Sequence, residues 1–259
     1  MRIRSLSFNK RDLLKVPPHH RIAYFGLGQI CDEASILLRM AIAAINSVKE
    51  HQATVDAACA AAMLATRMLA GRVYEARLFI NGQEVARAFQ ELRQSALEID
   101  LSVETEMTLA AAGRAALFDL TRSNSLLDRL RNRASFHVDP KLIEDSFHLL
   151  PDNHRLMDHL TAIRGNSVYG AAETLHLMAL GQLQDIADPQ AALNAATEEI
   201  RRAVGALTDF ADGLLLAFAI VHLRQVVKLQ TVELQALAVE DIRFPLFIEA
   251  EGYNETPQV

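Results

Sequence analysis

From Arg21 to Ser47 the apolar residues fall at Ile22, Phe25, Ile30, Ala34, Leu37, Leu38 and Ala41. That three-and-four spacing lines one face of an α-helix. A stretch this long, held to one period, commits the chain to helix packing before any other feature is read. Composition agrees. Seven prolines and eleven glycines are few for 259 residues, and 51% of the residues are hydrophobic, enough to bury a substantial core. With so few turn formers, long helices are favoured over a turn-rich β protein.

The same reading continues down the chain. A second helix is predicted over about Thr54 to Phe79, where the small residues of "CAAAMLATRMLAGRVYEARLF" allow close approach of a neighbour. Asn81-Gly82 makes a turn and Gln83 to Ile99 a third helix, followed by a fourth from about Val103 to Leu120. A fifth opens at Ser123 or Asn124 as N-cap and stops before Pro140, because the residue preceding proline is pushed out of helical geometry. Lys141 to Leu150 forms a short helix, and Ala171 to Asp185 and Pro189 to Glu233 close the fold. The expected architecture is all-α: an up-down helical bundle with additional helices, as a single domain over residues 1–259. Residues 1–20 form an irregular or short extended leader, 21–150 the motif-bearing bundle, 151–170 an irregular loop, 171–235 the closing helices, and 245–259 a strand-like or disordered tail.

Charge and cysteine usage bound the function. A formal charge of −6 argues against a surface that binds nucleic acid everywhere, while leaving room for a local basic site. Arginine outnumbers lysine, 21 against 5. Cys31 and Cys59 sit in apolar helical patterns and read as small core residues, not as a disulfide framework. The N-terminus lacks the apolar run of a signal peptide, and "DGLLLAFAIVHLR" (Asp212 to Arg224) holds too short an uncharged run to span a bilayer. A cytoplasmic protein with no membrane partner is expected.

The stretch "LRNRASFHVDP", Leu130 to Pro140, gathers cations, an amide and an imidazole at the end of an apolar helix. On a regular α-helix His137 falls inside the stripe of Leu126, Leu127, Leu130, Ala134 and Val138, with Arg131 and Arg133 at its two edges. Arg131 and His137 are about 9 Å apart along the axis, within reach of one bound phosphate. A structural reading also accounts for these residues. Histidines on apolar faces are usually satisfied in the core, and arginines in a last turn complement the helix dipole.

Arg131, Asn132 and His137 nevertheless resemble the signature of the HEPN superfamily of helical bundles: an arginine, a polar residue that is often asparagine, and a histidine after a short spacer. "RNRASFHVD" is similar to the "RN…FH-D" form of several HEPN families. The resemblance covers about nine residues and an all-α setting. It implies metal-independent RNA cleavage, needing no cofactor, in a homodimer whose paired motifs share one cleft. In that chemistry His137 moves the 2′-OH proton, Arg131 stabilises the transition-state charge, and Asn132 orients substrate or the imidazole, giving a 2′,3′-cyclic phosphate. It also implies a toxin or antiviral setting, with an antitoxin or regulatory protein as a further partner.

Arg133 is expected to support RNA binding. On the second helix, Arg72 and Glu75 are spaced i, i+3; Glu75 could hold the motif across the bundle, or the two could form an ordinary intrahelical ion pair. His148, His154 and His159 lie near Glu144, Asp145 and Asp158, but their spacing matches no compact metal motif, so a solvated loop is expected there. Two other functional classes stay open: a catalytically inert helical protein used for dimerisation or partner binding, and a ligand-binding regulatory domain using the 151–170 loop.

Overall fold

A computed structural model describes residues 2–47, 50–135, 139–161, 163, 165–224 and 228–247. The chain is an all-α helical bundle, 73% helical, with nine α-helices among the described residues and negligible sheet. In order these are β1 (Arg2–Ser7), α1 (Lys10–Leu13), α2 (Pro18–Ile45), α3 (Gln52–Asn81), α4 (Gln83–Ile99) and α5 (Glu104–Leu120). There follow α6 (Leu126–Leu130), a π turn (Arg131–Ser135), α7 (Pro140–His148), α8 (Gly170–Gln182), α9 (Pro189–Phe218), a second π turn (Ala219–Leu223) and β2 (Lys228–Glu233).

The chain divides into two compact units, residues 1–35, 72–125 and 201–237, and residues 36–71, 126–200 and 238–259. In the first unit α4 shows why these residues fold as they do. Val85, Ala88, Phe89, Leu92 and Ala96 are its buried positions, one apolar stripe at helical spacing. Phe89 meets Phe210 of α9 edge to face, ring centroids 5.0 Å apart, and Phe210 and Phe218 are wholly buried. Each such side chain contributes roughly 1.5–3 kcal/mol of burial. Helices α5 and α9 approach through glycine: a Cβ at Gly113 would stand 2.6 Å from the Ala206 carbonyl oxygen, and one at Gly213 would collide with the Ala110 Cβ. The second unit is built on Leu69, Leu126, Leu127, Leu130, Leu180, Leu183 and Ile200, with α7 packed on α8.

The ends differ from expectation in a way that matters for the site. The expected leader takes its short extended form over Arg2–Ser7 and turns helical at Lys10–Leu13 and again from Pro18. Arg2–Ser7 pairs antiparallel with Lys228–Glu233, from Arg2 opposite Glu233 to Ser7 opposite Lys228. The closing helix accordingly stops at Phe218 and does not run to Glu233. The β-branched run around Thr231 and Val232 prefers a pleated ribbon once a partner strand is present. Helix α2 also starts earlier than Arg21, at Pro18. The Pro17 carbonyl accepts from the amides of His20 and Arg21 at 3.1 and 3.2 Å, and proline is well suited to a first helical position. His19 and His20 therefore occupy the first turn of a long helix.

Residues 245–247 of the expected tail carry no strand, and Asn46, Ser47 and Ala43 tie Val239 and Phe244 to the end of α2. By length and hydropathy alone, α3 and Pro189–Leu223 are each long and apolar enough to cross a bilayer. Of their most apolar windows, 33% and 44% of residues are buried within the protein.

Candidate functional site

The motif helix is not a uniform α-helix. Leu126, Leu127 and Leu130 are buried as the wheel predicts, but α6 ends at Leu130 and Arg131–Ser135 forms a π turn. A π turn admits one extra residue per bonded ring, so the regular-helix angles do not hold beyond Leu130. Upstream, Asn124 takes the left-handed conformation (φ 64°), which asparagine tolerates, so it makes the turn between α5 and α6 and is not an N-cap.

On this turn Arg131 Nη1 donates to Asn132 Oδ1 at 2.8 Å, and Asn132 Nδ2 donates to Asp128 Oδ1 at 3.0 Å. Guanidinium and amide are thus held together one turn after a carboxylate. Arg133 is engaged differently: its Nε donates to Asp139 Oδ2 at 2.8 Å. The other Asp139 oxygen accepts from the amides of Lys141 and Leu142 at 3.0 and 3.1 Å, so one carboxylate caps α7 and anchors Arg133. The Arg133 guanidinium, followed by the Leu142 amide, holds the Asp139 carboxyl below its usual range. His137 lies outside the described residues.

Close behind the motif turn, Arg67 and His176 line one recess with Leu130, Met63, Thr66, Leu180 and Leu183. Burial, with Arg67 adding, lowers the His176 pKa; burial raises that of Glu173, against the pull of Arg67. Sequence spacing gave no hint of this grouping, because α3 and α8 lie about a hundred residues apart.

Of the expected supporting residues on α3, Arg72 reaches a neighbouring helix. The Arg72 guanidinium meets Glu33 of α2 at 2.5 Å, a cross-helix ion pair within the first unit. The histidines of the 148–159 region take separate partners: His148 pairs with Glu144 at 3.1 Å, and His159 with Asp56 at 2.8 Å. His159 and Val168 also form a short antiparallel bridge inside the expected loop. Neither Cys31 nor Cys59 is in a disulfide, and burial, with Asp212 and Asp32, pushes the Cys31 thiol up to about 11, which disfavours the thiolate.

A second constellation escaped the sequence reading altogether. His19 Nε2 and His20 Nε2 both meet Glu91 Oε2 of α4, at 2.8 and 3.1 Å, and His20 Nδ1 lies 2.9 Å from His222 Nε2. Arg87 donates to the other Glu91 oxygen at 2.7 Å. The Arg87 contact, then the His19 contact, hold the Glu91 carboxyl down to about 2. Burial, then His20, pushes His222 down to about 4, so it is neutral in ordinary buffers. The available signal was the His19-His20 dipeptide directly after Pro17-Pro18, together with a lone histidine in the most apolar window of the chain.

No protein-family model, no curated protein and no solved structure matches this chain.

Proposed function

We propose that the chain is a HEPN-type, metal-independent endoribonuclease that cleaves RNA through 2′-OH attack, works as a homodimer, and serves as a toxin or antiviral effector. The observation that carries this reading is the Arg131–Asn132 pair on the π turn, braced by Asp128. Such turns occur frequently at functional sites. The pair supplies a planar cation for the non-bridging phosphate oxygens and an amide for orientation.

In the proposed reaction neutral His137 accepts the proton of the 2′-OH as its oxygen attacks the adjacent phosphorus. The bond from phosphorus to the 5′-oxygen breaks, and that oxygen leaves with the proton returned by the His137 imidazolium, so the transfer is proton-neutral overall. Arg131 stabilises the charge on the phosphorane-like transition state. Arg133, paired with Asp139, takes a supporting role and braces the turn.

The test is incubation of the purified protein with assorted RNAs, tRNA included, in EDTA, beside His137→Ala and Arg131→Ala. Cleavage with cyclic-phosphate ends, lost in both variants, supports the enzyme. The net charge of −6 favours a second reading, a catalytically inert helical interaction protein. Equal inactivity of wild type and variants would select it.

A further inference from the structure

We propose that His19 Nε2, His20 Nε2 and Glu91 Oε2 form a binding site for a divalent transition cation of the zinc class, with His222 orienting His20. The three donor atoms lie within 4.8 Å of one another. Two imidazoles and a carboxylate suit zinc and its neighbours better than calcium or magnesium, which prefer all-oxygen shells. With bonds of about 2.0–2.2 Å, tetrahedral donors stand roughly 3.3 Å apart. The observed contacts to Glu91 of 2.8 and 3.1 Å need open by only a few tenths of an ångström.

The hydrogen-bond pattern is compatible with a bound cation. One carboxylate oxygen faces two imidazole nitrogens, and the other nitrogen of His20 faces a third imidazole. If His20 Nδ1–H donates to His222 Nε2, the usual outer-shell arrangement of a metal-bound histidine, His20 Nε2 turns a lone pair toward Glu91. Lone pair against carboxylate is repulsive unless a cation lies between them. A cation satisfies all three donors at once. The opposite tautomer, with His222 donating and His20 Nε2–H on Glu91, satisfies the same contacts without metal, and the experiment below separates the two.

The setting is also that of a built site. His19 and His20 are 7% and 5% exposed, while Glu91 is half-exposed and leaves an approach for the ion. Arg87 fixes Glu91 through the oxygen that the cation does not use. The rigid Pro17-Pro18 entry presents both histidines on the first turn of α2, and α4 packs against the π turn carrying His222. Three protein donors leave a coordination position for water. The site uses none of the residues of the proposed RNA-cleaving turn, so it revises the metal-free expectation for the chain without altering that chemistry.

The full-length protein, stripped with EDTA and dialysed, is titrated with zinc(II) alone and with cobalt(II) alone. The proposal predicts one equivalent per chain, visible cobalt d–d bands, and a Tm that rises with zinc concentration. Glu91→Gln abolishes stoichiometric binding, His222→Phe weakens it by about 10–100-fold, and His148→Ala, at an exposed His–Glu pair, leaves it unchanged. Equal binding by wild type and Glu91→Gln overturns the proposal. So does the absence of cobalt bands in folded wild type, a result that decides the matter even if a variant fails to fold.

Discussion

His20 Nδ1 and His222 Nε2 lie 2.9 Å apart although 202 positions separate them in the chain. The contact ties the first turn of α2 to the π turn after α9 in a setting where His20 is buried. His222→Leu leaves the His20 nitrogen without a partner, which costs about 1–3 kcal/mol. Thermal unfolding in EDTA should show Tm lower by roughly 2–4 °C for each kcal/mol. An unchanged or higher Tm would mean that the pair adds nothing to the fold.

Two glycines in the first unit carry opposite predictions. Gly113 faces the Ala206 carbonyl and the Phe210 amide of α9, so Gly113→Val forces the helices apart and destabilises by about 1–3 kcal/mol. Gly205, on α9, has open space where a Cβ would sit, and Gly205→Ala stabilises by about 0.5–1 kcal/mol through helix propensity. Urea unfolding of both variants checks the pair, and a shift of the same sign in both would contradict the packing described for α5 and α9.

Asp139 should make stability pH-dependent. Its carboxyl is held low by Arg133 and by the amides of α7. A carboxyl depressed in the folded state contributes above its ordinary range and loses that contribution as pH falls through the depressed value. Asp139→Ala is therefore expected to melt below wild type at pH 7, with the gap closing in strong acid. A gap constant from pH 7 to pH 2 would show that the charge is not what matters.

Glu173 behaves in the opposite sense. Burial raises its pKa, so its contribution is complete below the ordinary carboxylate range and is lost as pH climbs through the raised value. Glu173→Gln should be close to neutral in effect at pH 4 and raise Tm at pH 8. Equal effects at both values would contradict a buried ionised carboxylate beside His176.

The helical class and most helix ends were legible because apolar periodicity sets them: Gln83–Ile99 was read to the residue, and the turn at Asn81-Gly82 follows from local chemistry. The β1–β2 ribbon was not legible. Each strand is short, and the pairing of Arg2 with Glu233 depends on a partner more than two hundred residues away. The π turn at Arg131–Ser135 was missed because a regular wheel assumes one period throughout. Arg131 and Asn132 were found through their motif, whereas His19, His20, Glu91 and His222 come from three segments distant in sequence and form a group only when the chain folds.

The most direct measurement is RNA cleavage in EDTA by wild type, Arg131→Ala, Asn132→Ala and His137→Ala, with the product ends identified. The account predicts cyclic-phosphate products from wild type, a loss of roughly 100-fold or more for Arg131→Ala and His137→Ala, and a smaller loss for Asn132→Ala. Cleavage of equal rate in all four proteins, or in none of them, would contradict it.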